Sequence, residues 1–141
     1  MIKKKLTKFH KWALKHKLII SCLLFFATGF VLGAFILGVK WIGYDVRQQC
    51  VDAREEYQGT CVEALSKLIL DPRQKLRHRI QAVWALGQLG DKNALPALEE
   101  LATLPECQKG SECEYELGKA LRLARGGINI TAPFWRLQPL N

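Results

Sequence analysis

The first 17 residues contain no acidic side chain, and Leu18 to Val39 contains no charged side chain of either sign. The first absence leaves MIKKKLTKFHKWALKHK with seven lysines that nothing in the segment neutralises. The second excludes an ordinary solvated surface over 22 consecutive residues. Five cysteines are present, but none stands in a C-x-x-C arrangement. That argues against a structural zinc site, which needs close thiolate pairs, and against a redox-active dithiol. There is also no stretch of strict apolar and polar alternation to suggest strands. Ser-His-Asp sets with an elbow, phosphate-cradling glycine loops and recognisable paired carboxylates are missing too, so the expectation is a protein that is not an enzyme.

What is present is unevenly placed. The chain has 141 residues, 21 Lys+Arg and 13 Asp+Glu, for a formal net charge of +8. Without the seven N-terminal lysines the balance is 14 basic to 13 acidic side chains, so the excess charge does not predict a nucleic-acid partner. The length allows one domain of about 100 residues plus extras. The organisation expected is a basic cytoplasmic tail (1–17), a transmembrane helix (18–39), a helical domain (40–125) and an extended apolar tail (126–141).

A helix of 22 residues covers about 33 Å, enough for a hydrocarbon core of about 30 Å. A cleaved signal peptide has a shorter apolar core and a small-residue cleavage site, whereas this run ends Gly-Val-Lys-Trp. Ile19-Ile20-Ser21-Cys22 resembles a lipobox, but the apolar run continues well past it. Lysines stay on the cytoplasmic side, so the N-terminus is expected inside and the domain outside, at the inner (plasma) membrane. Trp12 on one side and Trp41 with Tyr44 on the other suit the two interfacial belts. Gly29 and Gly33 form G-x-x-x-G, a spacing that lets another membrane helix approach closely.

Cys50, Cys61, Cys107 and Cys113 fall in the exported part, where two disulfides are the simplest reading. Of the three possible pairings, Cys50 with Cys61 and Cys107 with Cys113 is favoured, because each closes a short local loop.

After the span the apolar pattern has helical period. Val46, Cys50, Ala53 and Tyr57 form one stripe. Thr60 is the expected N-cap of a helix carrying Val62, Leu65, Leu68 and Ile69. Pro72 suits the first turn of a third helix with Leu76, Ile80, Val83, Leu86 and Leu89, stopped by Gly90. A fourth helix is expected over 93–104 and a fifth over 112–125. Ala64-Leu65-Ser66-Lys67-Leu68 recurs as Ala97-Leu98-Glu99-Glu100-Leu101 at an offset of 33, the sign of a helical repeat.

The run from Leu76 to Leu98, LRHRIQAVWALGQLGDKNALPAL, resembles a HEAT repeat of the phycobilin-lyase-like subtype, with a basic first helix closing in A-L-G-x-L-G-D and a leucine-rich second helix. The likeness covers about residues 73–104 as one full repeat, with degenerate neighbours at 44–71 and 112–125. It implies an all-α fold: a short HEAT-like α-solenoid of about two and a half helical hairpins after the transmembrane helix. Some relatives act on bilins and one branch binds iron through His-Glu pairs, but most are scaffolds. This chain has His10, His16 and His78 and no His-Glu dipeptide, so neither a metal nor another cofactor carries over.

Arg73, Arg77 and Arg79, around His78, form a basic cluster that could grip lipid phosphate or an acidic partner, or else be a solvated face. In the tail, Phe134, Trp135 and Leu137 either pack back on the open end of the solenoid or dock on another protein. Asn129-Ile130-Thr131 is formally a glycosylation sequon. The function expected is that of a non-enzymatic accessory or assembly subunit of a membrane complex, with other membrane subunits and the lipid bilayer as partners. An independent anchored adaptor, or a bilin-lyase-like enzyme, are the alternatives.

Overall fold

The computed structural model describes residues 2–108 and 110–136, with side chains from His16 onward. Leu137, the side chain of Trp12 and those of the first six lysines lie outside the described residues. Among the described residues all regular structure is helical. The chain divides into two compact units, Met1–Gly38 and Val39–Asn141.

Helix α1 runs over Ile2–Glu56. The stripe of Val46, Cys50 and Ala53 belongs to this same helix and does not start a separate one. The physical reason is that nothing between Val39 and Val46 stops a helix: there is no proline, and a lone interior glycine such as Gly43 costs only about 1 kcal/mol. In the first unit the apolar side chains of α1 have no core to enter, and Phe25, Phe26 and Phe30 are all exposed. The stretch is long and apolar enough to cross a membrane, a description that also fits a signal sequence.

The second unit opens with the end of α1 and continues with α2 (Cys61–Leu70), α3 (Leu76–Leu89), α4 (Leu95–Leu101), α5 (Glu112–Ala124) and α6 (Ala132–Trp135). The starts of α2 and α5 and the end of α3 have local causes. Thr60 and Glu63 form a capping box at α2: the Thr60 N–H donates to Glu63 Oε2 at 2.8 Å, and the Glu63 N–H donates to Thr60 Oγ1 at 3.3 Å. Ser111 Oγ accepts from the Glu114 N–H at the start of α5. Gly90 ends α3 in the left-handed conformation, φ +59°, which a side chain would resist.

Three boundaries depart from the sequence expectation. Pro72 stands in the turn before α3 and not in its first turn, because Asp71 Oδ1 accepts from the Arg73 N–H and so holds residues 71–74 as a separate turn. The fourth helix is shorter than 93–104. Pro96 lacks the N–H that would continue a helical ladder back to Lys92, so a 3-10 turn over Lys92–Ala94 precedes α4. The tail is not extended throughout, since Pro133 falls in the first turn of the short α6, where a missing N–H does no harm.

α3 and α5 pack side by side, α2 lies against α3 and α4, and α4 against α5. The α3–α5 approach depends on Gly87, where a Cβ would come within 2.8 Å of Ala120 Cα. Between these helices lie Val46, Leu65, Ile69, Val83, Leu86, Leu98 and Leu101, each at most 1% exposed. Burying such a side chain stabilises by about 1.5–3 kcal/mol.

Candidate interaction surface

Two covalent staples fix the ends of the stack. Cys50 on α1 is bonded to Cys61 on α2, and Cys107 is bonded to Cys113 on α5, with Cα separations of 5.0 and 4.9 Å. Such short loops restrict the unfolded chain by about 2–3 kcal/mol each in the entropic account.

The three arginines of the basic cluster have different roles. Arg79 is not available to a partner: it is 4% exposed. Its Nε donates to Ile69 O at the end of α2 at 2.6 Å, and its Nη1 pairs with Glu106. It thereby ties α2, α3 and the 3-10 turn Pro105–Cys107 together. The hydrogen bond from Arg79 holds the Glu106 carboxyl below the usual range. The sequence contained the signal, since Arg79, Val83 and Leu86 follow i, i+4, i+7 and put Arg79 on the buried stripe.

Arg73 is exposed, yet it clamps the buried Asp71. Its Nε and Nη2 donate to the Asp71 carboxylate at 3.0 and 2.6 Å, and the Tyr57 hydroxyl donates to Asp71 Oδ2 at 2.7 Å. Arg73 first, then Tyr57, hold the Asp71 carboxyl far below its ordinary value. Burial, reinforced by Asp71, pushes the Tyr57 hydroxyl up. Of the three arginines, Arg77 is exposed on α3 and has no polar partner among the described residues.

The tail packs on its own unit. Trp135, expected to be available for docking, is 2% exposed. It covers Gly43, where a Cβ would lie 2.8 Å from Trp135 Cβ, so a residue without a side chain makes room for the indole. Arg136 Nε donates to Gln88 O at 3.1 Å, and its Nη2 reaches the same carbonyl, placing a cation at the C-terminal end of α3. Asn129 is also engaged: its Oδ1 accepts from Thr131 Oγ1 at 2.8 Å, and its Nδ2 donates to Gln88 Oε1 at 2.9 Å. The sequon asparagine is thus a structural clasp. Neither Arg136 nor Asn129 carried a periodic signal, because both bonds reach more than 40 residues back along the chain.

What remains open to a partner is narrower than the sequence implied. Arg77 is one such element. The Phe134 side chain is 60% exposed. A groove of about 290 Å³ lies between α3 and α5, lined by Trp84, Gln88, Glu116, Lys119, Arg122 and Ile130 among others. Within it Lys119 Nζ donates to Glu116 Oε1 at 2.7 Å, which raises the lysine's proton affinity. In the first unit, a Cβ added at Gly29 or Gly33 would meet nothing within 4 Å, so both sites have space beside the helix.

No curated protein is significantly similar to the chain. No solved structure is either. Residues 44–107 match the family model of HEAT repeats, from the last part of α1 through the Cys107 turn. Over those residues the chain is similar to HEAT repeats, and the all-helical stack is consistent with a HEAT-like solenoid, an architecture that provides surfaces for protein-protein interaction.

Proposed function

We propose that the protein is a single-pass membrane scaffold, with its N-terminus in the cytoplasm and its HEAT-repeat domain outside, serving as a non-enzymatic accessory or assembly subunit of a larger membrane complex. The observation that carries this reading is the direct succession of two kinds of surface. An apolar helical stretch with exposed side chains leads, with no linker, into a repeat domain of the interaction type. The two disulfides favour an oxidising compartment for the domain. The lysine-rich start favours retention of the N-terminus on the cytoplasmic side.

In this reading Gly29 and Gly33 seat a neighbouring membrane helix, while Arg77 and the groove between α3 and α5 meet the exported part of a partner. Arg79 and Trp135 act inside the domain, shaping those surfaces. The test is purification of the full chain in a mild detergent. Stoichiometric co-purification of other membrane subunits is expected; a protein that migrates alone on a native gel contradicts the proposal.

A further inference from the structure

One end of the helical unit carries an exposed apolar surface next to the groove that the scaffold reading uses, and Ile128, Ile130 and Arg122 border both. The chain comes in at this end, where α1 presents Gly43; Glu56 lies 13 residues later, about 20 Å along the axis. α3 runs the opposite way. Gln74 Nε2, just before α3, donates to Glu56 Oε2 at 2.7 Å at the far end, while Arg136 holds Gln88 O and Trp135 covers Gly43 at the near end. α5 also finishes at the near end, where a Cβ on Gly90 would approach Leu123 O to 3.4 Å and Gly127 packs on the Arg122 backbone. The clasped tail therefore gathers at the end where the chain enters.

That end is apolar on the outside. Among the described residues from 39 onward there are eight exposed large hydrophobic side chains, and five of them belong to this level: Trp41, Tyr44, Ile128, Ile130 and Phe134. Ile128 is 90% exposed and Trp41 75%. Lys40, Lys92 and Arg122 are exposed cations at the same end, with Asp45 as the exposed acid of that stretch of α1. At 3.6 residues per turn, Trp41 lies about 160° and Tyr44 about 100° around α1 from Gly43, which Trp135, the neighbour of Phe134, covers. These side chains share a level and not a face. A folded protein partner would meet one side of such a ring, whereas a planar bilayer meets all of it.

We infer that this end of the HEAT-repeat domain is a lipid-contacting surface, in which Phe134, Ile128 and Ile130 enter the headgroup region of the bilayer at the level of Trp41, with the basic side chains facing phospholipid phosphates. The inference rests on reading the apolar stretch as a span that ends near Val39. Aromatic rings and aliphatic side chains at headgroup depth lose water from apolar area while lysine and arginine keep their charge in the polar layer. The C-terminal clasp then does more than close the solenoid: it supplies a second, peripheral foothold that sets the domain's tilt on the membrane.

The test uses the full chain with Cys22→Ser, so that the remaining cysteines are in disulfides. A single cysteine placed by Phe134→Cys, Lys75→Cys or Leu37→Cys carries an environment-sensitive NBD label. Each protein is reconstituted in phosphatidylcholine and phosphatidylglycerol vesicles containing a lipid spin-labelled near the headgroup. Position 134 is expected to emit to the blue and lose most of its emission to the spin label, as a lipid-contacting site does, while position 75 behaves as in water. If position 37 reports lipid and position 134 reports water, the inference is overturned and the span stands. If position 134 is shielded but not quenched by the labelled lipid, a protein surface covers it and the inference is again overturned. Should position 37 also report water, the span reading fails and takes the inference with it. Ile130→Cys, which leaves the Trp135 packing intact, must give the same result as position 134.

Discussion

The two units handle the same residue types in opposite ways. From His16 to Gly38, phenylalanine and leucine are exposed, with Phe30 at 79% and Leu24 at 64%. In the unit from Val39 onward, Leu65, Leu86 and Leu98 are fully buried. The difference teaches that apolar content alone does not identify a core; the arrangement of what lies between the apolar residues does. A helical stripe with polar residues interposed calls for protein neighbours, while an unbroken run calls for an apolar solvent, and the first unit has that run without any interior in which to hide it.

Charging each region in turn should separate them, and the largest effect is expected in the span. The double variant Phe26→Arg/Phe30→Arg places two guanidinium groups mid-run, at about 2.5–3.5 kcal/mol each on insertion scales. It should release the chain from alkali-washed membranes while leaving the helical domain's melting temperature unchanged. Next in size is Arg79→Ala, which removes the tie between Ile69 O and Glu106 and leaves a buried carbonyl unpaired. A loss of about 2–4 kcal/mol is expected in chemical unfolding, with membrane association intact. Similar stability in the two proteins would show that the buried arginine is not a core element.

The smallest effect is expected from acid. Asp71 has its folded-state affinity for protons depressed by Arg73 and Tyr57, so it stabilises the domain above its unfolded value of about 3.9 and that contribution fades as pH falls below about 4. Glu106, depressed by Arg79, acts in the same direction. The melting temperature of the parent should therefore drop between pH 5 and pH 3 by more than that of Asp71→Asn, which starts lower at pH 7. Parallel curves would remove Asp71 from the account.

Much of this was legible in the residues. Thr60 before the second helix, and Gly90 after the third, marked helix ends by local chemistry acting within a few residues, and the structure follows them. The repeat at an offset of 33 and the A-L-G-x-L-G-D motif marked the stacked hairpins. Local sequence did not reveal the long-range polar bonds. Arg79 was read as part of a surface cluster because its neighbours are basic, although its position in the stripe pointed inward. Trp135 was left between two fates because its pocket is the missing side chain of Gly43, some 90 residues earlier in the chain. Placing it requires knowing which helices meet, and periodicity carries no such information.

The claim that joins the two regions is that a membrane lies between the lysines and the disulfide-bonded domain. The most direct measurement is labelling of intact cells with a membrane-impermeant maleimide, with and without an impermeant reductant. The account predicts that Cys50, Cys61, Cys107 and Cys113 are unreactive until reduced and are then labelled from outside. Four thiols that react without reductant, or that remain out of reach until the membrane is permeabilised, would contradict it.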